Sequence, residues 1–405
     1  MGKNYPRRNY DYDKQPYLVQ GYGDSNMISA LINGQIFTGE QWLMQQAVIV
    51  EDEKIIALCD EQNLPPTLDR IINLQNQRLI PGLIDTQVNG GGGVLFNDAP
   101  TVETLRTIGE AHRQFGTTGF YPTLISDDLT VVESAIAAVA QAIREKVPGV
   151  LGIHLEGPFL NPERKGVHKA EKFKTIDEAA FNLLTSLKFG KTLVTIAPEL
   201  TTPEMIERIT KAGVVVAAGH SAANYEQTKI ALAAGVTSFT HLFNAMTPFT
   251  SREPGMVGAA LENSHAWCGI IVDGFHVHPS TIKVAHQAKA PGKIILVTDA
   301  MASVGAKNKN FKLYGEQIFY TDGKLTNAAG TLAGSDLDML TAIKNTITQV
   351  GIAPDEAIRM ASTYPAAMMG NSTTLGAIKP GFYASMILID ENFQLLRSWI
   401  NGTEK

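Results

Sequence analysis

The chain has 405 residues, 44% of them apolar and only 18% charged, with a formal net charge of −6. That balance, with no long Lys/Arg run, argues against nucleic acid as a partner, and two cysteines are too few for a disulfide scaffold or a Cys-rich metal site. No 18-residue apolar run occurs, so no membrane span is expected.

Residues 1–26 lack the apolar core of a secretory signal and read as a poorly ordered tail, which makes the cytoplasm the expected location. From Met27 to Leu79 the pattern changes to short alternating segments, ISALINGQIFTG, QAVIVEDEKIIALC and RIINLQNQRLIPG, separated by turn signals at Asn33-Gly34 and Glu51-Asp52. The C-terminal stretch from Leu375 has the same character. The two ends therefore pair, on this reading, into one small antiparallel β-sandwich domain over 27–79 and 375–405.

Between them, over 80–374, apolar runs alternate with helical patterns. The strand-like runs are LIPGLIDTQV, TGFYPTLI, VLGIHLEG, LVTIAPE, VVVAAGH, TSFTHLF, GIIVDG and KIILVTDA. Helical text lies between, as in TPEMIERITKAG, where Thr202 before Pro203 signals a start and Gly213 a stop. Eight such units predict a (β/α)8 TIM-like barrel, with an open doubly wound sheet as the competing arrangement. The polar residues favour the barrel. Asp85, Glu156, His220, His241, Asp273, His276 and Asp299 fall at or just past predicted strand ends, which converge on one face only if the sheet closes.

His220 and His241 end adjacent strand-like runs 21 residues apart, the length of one βα unit, and imidazole is a preferred ligand for zinc and related metals. With Glu156 they make a three-ligand set that leaves a position for water; Glu156 could instead orient one of the histidines. Asp299, in LVTDAM, is a candidate proton acceptor and donor, the other reading being a helix N-cap. The following Met301–Gly305 does not look helical. Arg252, in TSREPG, suits an anion such as phosphate or simply solvates a loop. His168 and His276 could polarise a carbonyl or hold a sugar hydroxyl, and spacing alone assigns neither a role.

Taken together, PGLIDTQVNG, HLEGPFLNPERKGVH, AAGHSAANYEQ, THLFNAMTPFTSREPG, DGFHVHP, LVTDAM and TLAGSDLDM resemble the N-acetylglucosamine-6-phosphate deacetylases of the amidohydrolase superfamily, from about Met27 to the C-terminus. The resemblance implies hydrolysis of the N-acetyl group of N-acetylglucosamine 6-phosphate to acetate and glucosamine 6-phosphate, in amino-sugar catabolism. It implies metal ligation by Glu156, His220 and His241, with Asp299 as general base and then acid. It also implies substrate contacts from Asn244, Ala245, His276, Val167, His168, Leu332, Ala333 and Gly334, with Arg252 on the phosphate. Many superfamily members carry His-x-His on the first strand and a bridging Lys. Here the first strand reads Gln87-Val88-Asn89 and the fourth ends Ala197-Pro198-Glu199, so one divalent metal is expected. Zinc is the expected ion, with Fe2+, Co2+ or Mn2+ as alternatives, and the two amides could bind a second ion weakly. A homodimer or higher homo-oligomer is expected as well.

The segment 306–336 is too long for a plain βα loop, and Thr321-Asp322-Gly323 is a hairpin signal. It predicts a β-hairpin over the barrel mouth, returning through Leu332, Ala333 and Gly334 to touch the sugar. Two other functional readings compete. One is an amidohydrolase opening a cyclic amide, against which the Arg252 loop speaks. The other is a non-catalytic sugar-phosphate-binding barrel, against which the retained Asp299 and three-ligand set speak.

Overall fold

The computed structural model describes residues 27–405; the tail read over 1–26 lies outside them. Eight parallel strands form one sheet in sequential order: β1 (Leu83–Val88), β2 (Thr117–Ile125), β3 (Gly152–Glu156), β4 (Lys191–Ile196), β5 (Val215–Ala218), β6 (Ser238–Phe239), β7 (Trp267–Ile270) and β8 (Ile294–Leu296). The sheet closes just past β8, where Val88 bridges Ala300 in parallel, Asp299 N donates to Gln87 O and Asn89 N donates to Ala300 O. This is the expected barrel, and its eight strands are the eight apolar runs of the sequence.

The intervening helices follow ordinary capping chemistry. In Pro203–Lys211 the Thr202 side chain accepts from Met205 N, Pro203 opens the helix, and Gly213 (φ 90°) ends it. Tyr225–Ala234 begins with an Asn224/Gln227 capping box and ends at Gly235 in the left-handed region. Outward residues of the strands (Val194, Ile196, Val216) join helix residues (Ile206, Ile209, Ala231) in one buried apolar cluster. Burying each valine or isoleucine among them contributes about 1.5–3 kcal/mol. Residues two apart share a strand face, so β3 sends His154 and Glu156 inward and β1 does the same with Asp85, Gln87 and, just past its end, Asn89.

Both chain ends build a sandwich, as expected, but its sheets are mixed rather than antiparallel. One sheet runs Lys54–Asp60, Gln46–Glu51, Ile28–Ile32, Arg70–Asn73; the other runs Thr403–Glu404, Leu395–Ile400, Met386–Ile389, Arg78–Pro81, Gln35–Phe37, Trp42–Leu43. The pairs Ile28–Ile32 with Arg70–Asn73 and Gln35–Phe37 with Arg78–Pro81 are parallel. Such pairs need crossovers, which alternation and turn residues do not reveal. Leu31, Val48 and Ile55 of one sheet meet Leu79, Met386 and Trp399 of the other in a shared core.

The excursion after β8 is a three-stranded antiparallel sheet, Phe311–Leu313, Glu316–Thr321 and Lys324–Thr326, rather than a single hairpin. Its second turn is the one signalled in sequence: Asp322 (φ 49°) and Gly323 (φ 88°) take the positive angles that a two-residue hairpin needs. Its buried residues Leu313, Ile318 and Leu325 pack with Leu95, Ile125 and Met301, and Tyr314 Oη donates to Ser126 O at the end of β2. A side chain at Gly323 would stand 3.4 Å from the Phe275 ring, so the sheet reaches from the β2 end to the loop after β7.

Candidate active site

Three side chains from β3, β5 and β6 converge where those strands end. Glu156 Oε1 lies 3.1 Å from His220 Nε2 and 3.0 Å from His241 Nε2, and the two Nε2 atoms are 3.0 Å apart. All three side chains are buried. Both histidines have left-handed backbones, φ 47° at His220 and 33° at His241. That conformation costs a non-glycine residue roughly 1–2 kcal/mol and turns the imidazoles off their strands into the mouth.

The donor set fits a cation. His220 Nδ1 lies 2.8 Å from Arg164 O, and a carbonyl oxygen only accepts, so Nδ1 carries the proton. His220 Nε2 therefore faces both a Glu156 oxygen and His241 Nε2. Three ligand atoms gathered on one point need positive charge among them, from a proton or a metal ion. Burial raises the Glu156 carboxyl, but hydrogen bonds and charge from His220 and His241 outweigh it and hold the group well below the usual carboxylate range. Glu156, His220 and His241 are the three residues whose ligand atoms cluster tightly enough to hold a metal ion among the described residues.

Asp299, itself in the left-handed region (φ 53°), faces this group from the end of β8. Asn89 Nδ2 donates to its Oδ1 at 2.7 Å, and Gln87 Nε2 reaches the same oxygen at 3.3 Å and Glu156 Oε2 at 3.1 Å. Gln87 thus bridges the two carboxylates as a donor, while Asn89, just past β1, donates to Asp299. Burial, and then the charge of Glu156, push the Asp299 carboxyl up to about 6. Ser335 N donates to Asp299 O, and a side chain at Gly334 (φ 62°) would collide with that carbonyl at 2.8 Å, so only glycine fits beside it.

Most of the remaining predicted residues surround this centre. His168 is buried with its ring 4.5 Å from that of His220, and Ser126 Oγ meets its Nδ1 at 2.8 Å. Burial and the nearby His220 lower the His168 imidazole to about 3, so it is neutral. Val167 and Ala333 join the apolar cluster under the three-stranded excursion, and half-buried Leu332 pairs with Thr326 at its edge. His276 Nδ1 is held at 2.6 Å by Asp273 Oδ2, which leaves Nε2 free of that pairing. Asn244 Nδ2 donates to His241 O, and Ala245 O accepts from Ser221 N. Arg252 differs from all of these: it is exposed, on a turn closed by Thr250 Oγ1 donating to Glu253 O.

One expectation is corrected. Asp85 is not a mouth residue. It sits inside β1, pairs with Phe120, and accepts from Thr298 Oγ1 and Gln87 N at full burial. Burial raises its carboxyl to about 7. Ending one apolar run at Val88 and Asp85 together hid the difference in depth. Three contributors escaped the sequence reading. His154, on the inner face two residues before Glu156, lies between Thr123 Oγ1 and Thr195 Oγ1 beneath the site. Ser126 and Glu199 were missed because each acts on a neighbour distant in sequence. For His154 alone a signal existed, the two-residue spacing from Glu156.

Comparisons with known proteins agree with this architecture. Residues 78–405 match the amidohydrolase family and residues 29–78 match the NagA composite domain. The chain is 43% identical over 329 residues to an N-acetylgalactosamine-6-phosphate deacetylase of Shewanella sp. (strain ANA-3), covering 81% of this chain and 83% of that protein. It is 37% identical over 379 residues to an N-acetylglucosamine-6-phosphate deacetylase of Haemophilus influenzae, covering 93% and 99%. The crystal structure of N-acetylglucosamine-6-phosphate deacetylase from Pasteurella multocida superposes with a TM-score of 0.90 at 35% identity, covering 94% of this chain and all of that one. With a closed eight-stranded barrel, a two-sheet companion and a buried Glu/His/His cluster at the strand ends, the chain belongs to the amidohydrolase family.

Proposed function

We propose that this protein hydrolyses the N-acetyl group of N-acetyl-D-glucosamine 6-phosphate, releasing acetate and D-glucosamine 6-phosphate. The observation that carries the reading is the Glu156/His220/His241 cluster facing a second carboxylate, Asp299, with the Gln87 amide donating to both. Glu156, His220 and His241 hold one divalent ion, most simply zinc, since the donors are two imidazoles and a carboxylate and β1 offers only amides for a second. A bound ion of this kind supplies Lewis acidity that makes water nucleophilic near neutral pH.

The chain's own groups do the rest. Asp299 accepts the proton of the attacking water and afterwards delivers it to the amide nitrogen as the C–N bond breaks. Asn89 and Gln87 occupy Oδ1, which leaves Oδ2 as the proton-carrying atom. His276, oriented by Asp273, and neutral His168 are the groups placed to polarise the acetyl oxygen or hold sugar hydroxyls. Asn244 and Ala245, Val167, and Leu332-Ala333-Gly334 line the sugar, and Arg252 takes the phosphate. Phosphorylated sugars and two unpaired cysteines are consistent with a cytoplasmic setting. No helix among the described residues is long and apolar enough to cross a membrane. An exposed apolar groove of about 860 Å3 beside the Arg252 turn, lined by Phe249, Val257 and Val284, supports association of copies into a homodimer or higher oligomer.

A second substrate has an observation of its own: the Shewanella relative acts, by its name, on the galactosamine epimer. The test is acetate release from both 6-phosphates and from unphosphorylated N-acetylglucosamine, with elemental analysis of the same sample. The reading requires the glucosamine 6-phosphate to be the best of the three, with about one tightly held metal per chain. Preference for the galactosamine epimer moves the substrate, and absence of acetate release from all three removes the reading.

A further inference from the structure

We infer that Glu199, which belongs to no ligand set, is the positioning residue that fixes His220 for metal binding and couples it to the loop 161–168. Glu199 lies on the short helical turn Pro198–Leu200 directly after β4, next to β5, two residues beyond which His220 stands. Its carboxylate gathers three donors from two other loops. Oε2 accepts from Ser221 Oγ at 2.6 Å, and Oε1 accepts from Ala222 N at 2.7 Å and from Asn161 Nδ2 at 3.0 Å.

Each donor bears on His220. Ser221 and Ala222 are the residues that follow it, and Ser221 Oγ passes the support on by accepting from Ala223 N at 3.0 Å. Asn161 N donates to His220 O at 2.9 Å, so one asparagine grips both the carboxylate and the histidine backbone. The loop beginning at Asn161 then supplies Arg164 O, which orients the His220 ring, and His168, whose ring packs on it. A non-glycine residue such as His220 keeps φ 47° only where its surroundings over-determine it. Glu199 is the group on which those surroundings converge. Without it, Ala222 N and the Ser221 hydroxyl lose their acceptor, and the turn can relax to a backbone that points the imidazole elsewhere.

The inference rests on His220 being a metal ligand, and the experiment separates the two claims. Metal-free protein is titrated with Co2+ against a chromogenic chelator, and the visible d–d spectrum of the Co2+ form is recorded. Wild type should bind one Co2+ tightly; if it does not, the ligand reading falls and this inference with it. Glu199→Ala should weaken binding about ten- to a hundredfold, the range for loss of a group that orients a ligand, and shift the d–d band. Glu199→Gln keeps an oxygen for Ala222 N and Asn161 and should stay close to wild type, well short of the roughly ten- to a hundredfold loss in Glu199→Ala. Wild-type affinity in Glu199→Ala, or equal losses in the Ala and Gln variants, overturns the positioning role while leaving His220 a ligand. Should Glu199→Ala fail to fold, Ser221→Ala, which removes one of the three bonds, serves in its place, with a smaller loss in the same direction and an unchanged affinity overturning the inference.

Discussion

The proposed reacting half of the site and the proposed phosphate half, at Arg252, are built differently. Glu156, His220 and His241 are buried and Asp299 is half-buried, three backbones are held in the left-handed region, and the two carboxylates are tied to amide donors from the distant first strand and its end. Arg252, by contrast, stands exposed on a surface turn anchored through Glu253, whose carboxylate accepts from Tyr225 N and Gly255 N. The difference follows from what each half must do. Groups that act on a changing charge distribution lose efficiency if they reorganise during the reaction, so they are fixed in advance in a site shielded from water. A phosphate carries its charge throughout, and a guanidinium can meet it from a mobile, hydrated position.

The largest expected effect breaks the fixed half. His220→Ala or His241→Ala removes one of three donors and leaves Glu156 buried without its counter-charge, so elemental analysis should show the metal gone and the acetate assay nearly all activity with it. Retention of metal by either variant would contradict the three-ligand assignment. Asp299→Asn is next: it keeps the shape and the Asn89 contact region but cannot accept a proton. Substrate should still bind, while kcat falls by roughly 10²–10⁴-fold. A variant that keeps more than about a tenth of wild-type kcat would shift the base to another group, His276 being the first alternative.

Arg252→Ala tests the exposed half. It should raise KM for the 6-phosphate about ten- to a hundredfold, equivalent to the 1.5–3 kcal/mol of a charge-assisted hydrogen bond, and leave kcat and the unphosphorylated sugar little changed. Equal effects on both sugars would mean that Arg252 does not read the phosphate.

The same contrast governs what was legible in sequence. All eight barrel strands could be read because strands covered on both faces are continuous apolar runs, and the chemistry-bearing residues stand where those runs end. Even β6, only Ser238–Phe239 as a regular strand, was marked by the run that carries His241. What stayed hidden acts through space. The Asn89–Asp299 bond joins residues 210 apart, and Glu199 acts on a turn beyond the next helix. The positive φ of His220, His241 and Asp299 has only a weak sequence signal, because histidine and aspartate take the left-handed region more often than most residues but far less readily than glycine. In the sandwich, alternation marked the strands but not their parallel pairings, which depend on crossovers.

The finest test asks the two halves to separate by pH. Burial, followed by the charge of Glu156, raises the Asp299 carboxyl to about 6. A general base works only when ionised, so activity should be full above that value and fall as pH drops through it. A cation bound beside Asp299 favours the carboxylate and moves its pKa down, so in the loaded enzyme the midpoint should lie at or below about 6. The substrate phosphate also titrates near 6, but its protonation weakens the pairing with Arg252, which belongs to the exposed half. The two are told apart by measuring kcat at saturating substrate: protonation of Asp299 should lower kcat by about tenfold per pH unit below the midpoint, whereas protonation of the phosphate should appear in KM. Arg252→Ala should leave the kcat limb in place, and Asp299→Asn should abolish it. A kcat that stays flat down to pH 4, or a limb that survives in Asp299→Asn, would detach the acid limb from Asp299 and with it the assignment of the reacting half.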